Sequence, residues 1–121
     1  MAQHLQTGEG WRLGWRPAAP EFRGLLGGND WAVELTEAEL DDFCRLATQL
    51  AETMQAMASE LMDEENLTCE LESDRIWIAG TGQPAAFELR FMLLTGRQAE
   101  GGWPAEVVPA LLQAIPRLRS F

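Results

Sequence analysis

Residues 36–62 read TEAELDDFCRLATQLAETMQAMASELM, and this stretch decides the fold. Thr36 with Glu39 three residues later forms a capping box, in which each side chain satisfies a free backbone donor of the other residue. Glu37, Glu39, Asp41 and Asp42 crowd the first turns, where the helix dipole favours negative charge. No Gly or Pro interrupts the run, and Leu40, Phe43, Ala47, Leu50, Met54, Met57 and Leu61 recur at alternating spacings of three and four. Such a stripe predicts a helix over residues 37–62 with one buried face. At about 1.5 Å per residue it would be roughly 37 Å long, whereas a strand of ordinary length spans about 20 Å. The helix is therefore expected to overhang its sheet, and Met54, Met57 and Leu61 become the candidate interface of a homodimer.

Working outward, residues 11–16 alternate, with Trp11, Leu13 and Trp15 on one face and Arg12 and Arg16 on the other. A second strand is expected near residues 22–26 and a third over 31–35, after the turn residues Gly27-Gly28-Asn29-Asp30. Beyond the helix, strands are expected over residues 67–72, 75–79 and 87–94, with turns at Ser73-Asp74 and over 80–84. Residues 96–102 read as a loop. A C-terminal helix follows Trp103-Pro104, and Pro109 marks either a kink in it or its first turn. Strands joined by turn-length links pair antiparallel. The expectation is one α+β domain spanning residues 1–121. It is an antiparallel sheet from two β-β-β-α halves, with one long and one short helix packed on one face. Its core should rest on Trp11, Trp31, Val33, Leu71, Ile76, Ile78, Phe87, Leu89 and Phe91.

The composition narrows the function. Among 121 residues, 46% are apolar, enough for a single core. No apolar run approaches the roughly 20 residues that cross a bilayer. The N-terminus has no basic, then apolar, leader pattern, so a cytoplasmic location without membrane contact is expected. Cys44 and Cys69 stand far apart in apolar patterns and read as reduced, buried thiols. The net charge is -10, and all nine cations are arginine. Residues 34–74 hold Arg45 against thirteen acids, while residues 1–33 are neutral and 75–121 carry +2. Only the outer thirds would tolerate a phosphate backbone or an anionic membrane.

Four stretches together resemble a known family. They are Gly10-Trp11-Arg12-Leu13-Gly14-Trp15, the run from Gly27-Gly28-Asn29-Asp30-Trp31 through Glu39, residues 50–54 with 57–65, and Thr95-Gly96-Arg97 with Ala99-Glu100-Gly101. The chain resembles an uncharacterised domain of unknown function from cyanobacteria and plastid-bearing plants. The resemblance implies the fold of single-stranded-DNA-binding transcriptional regulators, shared with whirly proteins and positive-cofactor coactivators: a curved antiparallel sheet with helices that associate. Whirly proteins carry Lys-Gly-Lys-Ala-Ala-Leu on the binding sheet, and this chain has no lysine.

The residues offer little catalytic chemistry. His4 is the one histidine, there is no Tyr or Lys, and Cys44 sits on a helix with an acidic first turn, which discourages a thiolate. Asp63-Glu64-Glu65 lacks calcium-loop spacing, and the glycines at 24, 27 and 28 precede no Gly-Lys. No enzyme activity, metal or cofactor is expected. Arg12, Arg16, Arg75, Trp77 and Arg90 are the candidate nucleic-acid contacts, since arginine with an aromatic suits stacked single strands. Glu34, Glu70, Glu72 and Glu88 are expected on the same face, where they would pair with those cations. The reading is a dimeric, non-catalytic binding module for a protein of unknown identity. Single-stranded nucleic-acid binding tied to transcription or RNA metabolism is the alternative, disfavoured by charge. At pH 7 and near-physiological salt, binding to single-stranded DNA or RNA should therefore be weak. Fluorescence anisotropy checks this, and submicromolar, salt-sensitive binding would reverse the ranking.

Overall fold

The computed structural model describes residues 4–60 and 65–118. Two four-stranded antiparallel meanders follow one another, each ending in a helix. The first comprises β1 (His4–Gly8), β2 (Trp11–Trp15), β3 (Gly24–Gly27) and β4 (Ala32–Leu35), followed by α1 (Glu37–Ala56). The second comprises β5 (Leu67–Glu72), β6 (Ile76–Gln83), β7 (Ala86–Leu93) and β8 (Glu100–Trp103), followed by α2 (Val108–Ala114). Edge strands β4 and β8 lie against each other, α1 packs on β3 to β6, and α2 packs on β1, β2 and β7. The helices thus share the inner side of both sheets, and one apolar core joins them.

The α+β class stands, with two sheets and a fourth strand in each half. Residues 4–8, to which the sequence assigned no strand, form β1, which has no apolar alternation and is held by backbone pairing from His4 opposite Trp15 to Gly8 opposite Trp11. The expected loop over 96–102 contains the start of β8. Its glycines suit the packing there, because a Cβ on Gly101 would sit 2.6 Å from the Trp31 ring. Strand β6 runs on to Gln83 rather than turning at Gly80. Gly82 makes this extension feasible: its φ is 139°, and a Cβ there would lie 2.6 Å from the Ala86 carbonyl oxygen. Strand β3 starts at Gly24, not at Phe22. Pro109 stands in the first turn of α2, the second of the two sequence alternatives.

Helix α1 begins as expected. Thr36 and Glu39 exchange both capping-box bonds, at 3.2 and 2.8 Å. Its end is earlier than Met62: Met57 is the C-cap, and a 3₁₀ turn spans Ala58–Glu60. Met54 is the last residue of α1 that the sheets bury. Beyond that point the helix loses the tertiary packing that supports most helices. Leu61 and Met62 lie outside the described residues.

Of the expected core, Trp11, Ile76, Ile78, Phe87, Leu89 and Phe91 are buried. Trp31, Val33 and Leu71 are half-buried against that core. Trp31, Phe43, Phe91 and Trp103 form an aromatic cluster with ring centroids 5.3–5.8 Å apart. The Trp103 indole N–H donates to the Gly27 carbonyl at 2.9 Å, tying β8 to β3. Cys44 and Cys69 are half-buried and form no disulfide.

Gly82→Ala should lower stability by about 1–3 kcal/mol, because it adds a strained φ and a backbone clash. The exposed neighbour Thr81→Ala should change it by less than about 1 kcal/mol. Urea denaturation of the two variants checks the contrast.

Candidate functional site

The candidate arginines serve different masters. Arg12 projects from β2 onto the β3–β4 turn, where Nη2 donates to the Trp31 carbonyl at 2.7 Å and Nε to the Gly28 carbonyl at 3.2 Å. Arg75 sits at the β5–β6 turn and donates to Asp42 of α1 at 3.3 Å. Arg16 and Arg90 make no side-chain hydrogen bond or ion pair among the described residues; Arg16 follows the end of β2, whereas Arg90 lies on β7 of the other sheet. Trp77 donates to Glu70 across the outer face of the second sheet, at 3.0 Å. The five candidates therefore do not form one platform.

The two outer sheet faces differ in charge. In the second sheet, antiparallel register places Glu70 beside Ala79, Ala79 beside Arg90, Glu72 beside Trp77, Met92 beside Glu100 and Thr81 beside Glu88. One cation thus stands among four carboxylates. In the first sheet, the row Leu5, Gly14, Leu25 and Glu34 crosses all four strands. Glu34 therefore belongs to a different sheet from the other three expected acids.

Gly14 makes the floor of a shallow groove on that first face. Leu5, Phe22, Leu25, Arg16 and Glu34 surround it. A Cβ on Gly14 would lie 3.1 Å from the Leu25 Cβ and 3.6 Å from a Leu5 methyl, so glycine keeps the groove open. Leu5 is 56% exposed, the highest value for a large apolar side chain among the described residues. Arg23, at the rim, is held by the Ala19 carbonyl at 2.9 Å and by Glu37 at 3.1 Å. The sequence reading passed over Leu5, Phe22 and Leu25, because only strand register brings them beside Arg16.

Two carboxylates at the start of α1 are clasped from the second half. Glu39, 2% exposed, accepts from Arg97 and, at 2.6 Å, from the Thr95 hydroxyl. Arg97 also donates to the Glu34 carbonyl and lies over the Phe22 ring, 4.7 Å from its centroid. Asp42 accepts from the Ser73 hydroxyl at 2.7 Å and from Arg45 and Arg75 at 3.3 Å. Burial alone would raise the Asp42 carboxyl, but the bonds from Ser73, Arg45 and Arg75 outweigh it and hold the group below its ordinary value. Burial, reinforced by the Glu70 charge, pushes the Cys69 thiol up, away from the thiolate a nucleophile needs.

The candidate dimer residues also separate. Met54 is fully buried within its own chain, against the position a Gly80 Cβ would take. Met57 is half-buried at the helix end, and Leu61 lies outside the described residues. The stripe at Met54 is filled by the chain's own sheet, because Gly80 of β6 leaves the space that the Leu50 and Met54 side chains occupy. No helix among the described residues is long and apolar enough to cross a membrane.

A family model described as a domain of unknown function, DUF1818, matches residues 6–118. Among solved structures, the chain is similar to a protein of unknown function, described as from the DUF155 family, of Prochlorococcus sp. NATL2A. The two share 27% identity and a TM-score of 0.91, over 97% of this chain and 98% of the other. No curated protein matches.

Asp42 provides a pH test. Its folded pKa lies below the unfolded one, so its contribution is whole above about pH 5 and is lost as pH falls through the folded value. Asp42→Asn should cost about 1–3 kcal/mol at neutral pH. It should also flatten the decline of stability below about pH 4. Urea midpoints measured across that range check both effects.

Proposed function

From the premise that the chain belongs to the DUF1818 family, we propose that it is a non-catalytic binding module that takes a protein partner on the outer face of the first sheet. One observation carries the reading. The groove over Gly14 brings together an exposed Leu5, a half-buried Leu25 and an uncommitted Arg16, while Arg12, Arg75 and Trp77 are engaged inside the chain. An apolar floor flanked by Arg16 and Glu34, neither of which has a side-chain partner among the described residues, fits protein recognition, where apolar contact supplies affinity and charges supply register. The non-catalytic part of the reading is supported by the raised Cys69 thiol and by the internal engagement of Glu39 and Asp42.

The module is cytosolic in this reading and associates as a homodimer, with Met57 at the helix end as the contact residue. Single-stranded nucleic acid is the second reading. Two antiparallel meanders with inner helices suit the whirly-like arrangement that the sequence resemblance implies. The four glutamates around Trp77 and Arg90 weigh against it.

Capture from a cyanobacterial lysate, with and without nuclease, tests the reading. Wild type should retain a protein partner after nuclease treatment, and Arg16→Glu and Leu5→Asp should each reduce its recovery several-fold. Recovery that disappears with nuclease, or that neither variant alters, would overturn it. Sedimentation equilibrium tests the dimer: wild type should show a dimer mass that Met57→Glu converts to monomer, and a monomeric wild type would refute it.

A further inference from the structure

We propose that the outer edge of β5 takes an extended segment of a partner protein as an added strand, and that this segment alternates basic with apolar residues. The site lies on the second sheet, so it is separate from the Gly14 groove of the first and does not rest on it.

Strand β5 closes the second sheet on one side, and its backbone pairs with β6 alone among the described residues. The core thins toward this edge. Leu71, Ile78, Phe91 and Gly101 stand in one row across the four strands, on the inner side. Ile78 and Phe91 are 0% and 1% exposed, whereas Leu71 is only half-buried. Leu67 and Cys69 are half-buried in the same way, although α1 packs over this strand. The uncovered part of these side chains therefore faces the open edge, where an apolar side chain of a further strand would complete the row.

The outer side of β5 carries Thr68, Glu70 and Glu72, all exposed. Glu72 makes no side-chain hydrogen bond or ion pair among the described residues. Glu70 accepts from the Trp77 indole at 3.0 Å through Oε1, which orients the carboxylate and leaves its other oxygen without a partner among the described residues. Such charges discourage indiscriminate edge pairing. A second copy of β5, paired antiparallel, would set outward acids against outward acids, so the edge disfavours self-association. An added strand places outward side chains directly opposite Glu70 and Glu72, with Cβ atoms roughly 5 Å apart. Basic residues at those two positions turn the deterrent into attraction, and a net charge of -10 favours approach of a cationic segment. The residue between them faces inward, opposite Leu71. The fitting pattern is therefore basic, apolar, basic in extended conformation, with a second apolar residue opposite Cys69. Backbone bonds to β5 supply affinity, and the alternate side chains supply selectivity.

The test uses the full chain and a fluorescein-labelled peptide in which lysine alternates with valine. Three kinds of control accompany it: the same peptide with glutamate for lysine, a peptide of equal composition with its lysines contiguous, and versions N-methylated at alternate amides in each of the two phases. Saturable binding of the alternating lysine peptide is expected by fluorescence anisotropy. The contiguous peptide should bind at least about tenfold more weakly. One N-methylated phase should lose binding to a similar extent, because only alternate amides of an added strand face β5. Glu72→Lys should weaken binding of the lysine peptide by at least about tenfold and gain binding of the glutamate peptide, while its circular dichroism matches wild type. Bound peptide should also slow alkylation of Cys69 several-fold, with the modified cysteine located by mass spectrometry. Contact with the outward carboxylates alone would leave that rate unchanged, because Cys69 faces inward. No saturation at peptide concentrations up to roughly a millimolar, equal binding of the contiguous peptide or of both N-methylated phases, indifference to Glu72→Lys, or an unprotected Cys69 would overturn the proposal.

Discussion

Glu39 and Asp42 sit three residues apart at the start of α1, and the two halves of the chain are joined through them. Each is almost wholly buried and is met by an arginine and a hydroxyl from the second half: Arg97 with Thr95, and Arg75 with Ser73. Removing a charge from water is costly unless hydrogen bonds replace the lost hydration. Here the bonds are complete, since no buried side-chain polar atom among the described residues lacks a partner. The helix dipole also favours the Glu39 charge, which lies in the first turn of α1. Position on α1 therefore sets where the β5–β6 turn and the β7–β8 loop can lie. Those loops in turn align the second sheet against the stripe of α1.

That stripe was legible from sequence because helical periodicity is local. Leu40, Phe43, Ala47, Leu50 and Met54 are all buried as their spacing requires. The capping box was legible for the same reason. The partners of Glu39 and Asp42 were not, since Thr95 and Arg97 lie 56 and 58 residues from Glu39. The end of α1 was misplaced because it depends on where tertiary burial of its stripe stops, at Met54, which no local pattern records. Strands β1 and β8 were missed because neither alternates: one is polar and the other begins Glu100-Gly101-Gly102. Both are strands through their neighbours, β1 by pairing and β8 by the Trp31 ring that fills the space over Gly101.

The same locality limited the reading of the site. Alternation correctly placed Arg12, Trp77 and Arg90 outward on their strands, but strand order decides which outward residues meet. With two sheets, Arg12 and Arg90 cannot share a row, and the acids Glu70, Glu72, Glu88 and Glu100 surround Arg90. The five arginines with described side-chain partners all use them within the fold: Arg12 on turn carbonyls, Arg23 on Glu37, Arg45 and Arg75 on Asp42, Arg97 on Glu39. A chain with so few cations and so many internal uses for them has little positive charge left for a phosphate backbone.

The residues that carry the family resemblance divide along the same line. Arg12 with the Gly28–Trp31 turn, and Thr95 and Arg97 with Glu39, are internal ties, and their value is structural. Gly14 is different. A glycine inside a strand weakens it, through lost packing and added entropy in the unfolded chain. Its φ does not require glycine, since it is absent from the positive-φ positions. A Cβ there would come within 3.1 Å of the Leu25 Cβ, which is fixed to the β3 backbone and could give way only if β3 shifted. What glycine does at this position is leave space between Leu5 and Leu25 on an outer face. The close approach of β2 and β3 at this pair therefore accounts for glycine, and the groove beside Leu5 is the space that this close pairing leaves on the outer face.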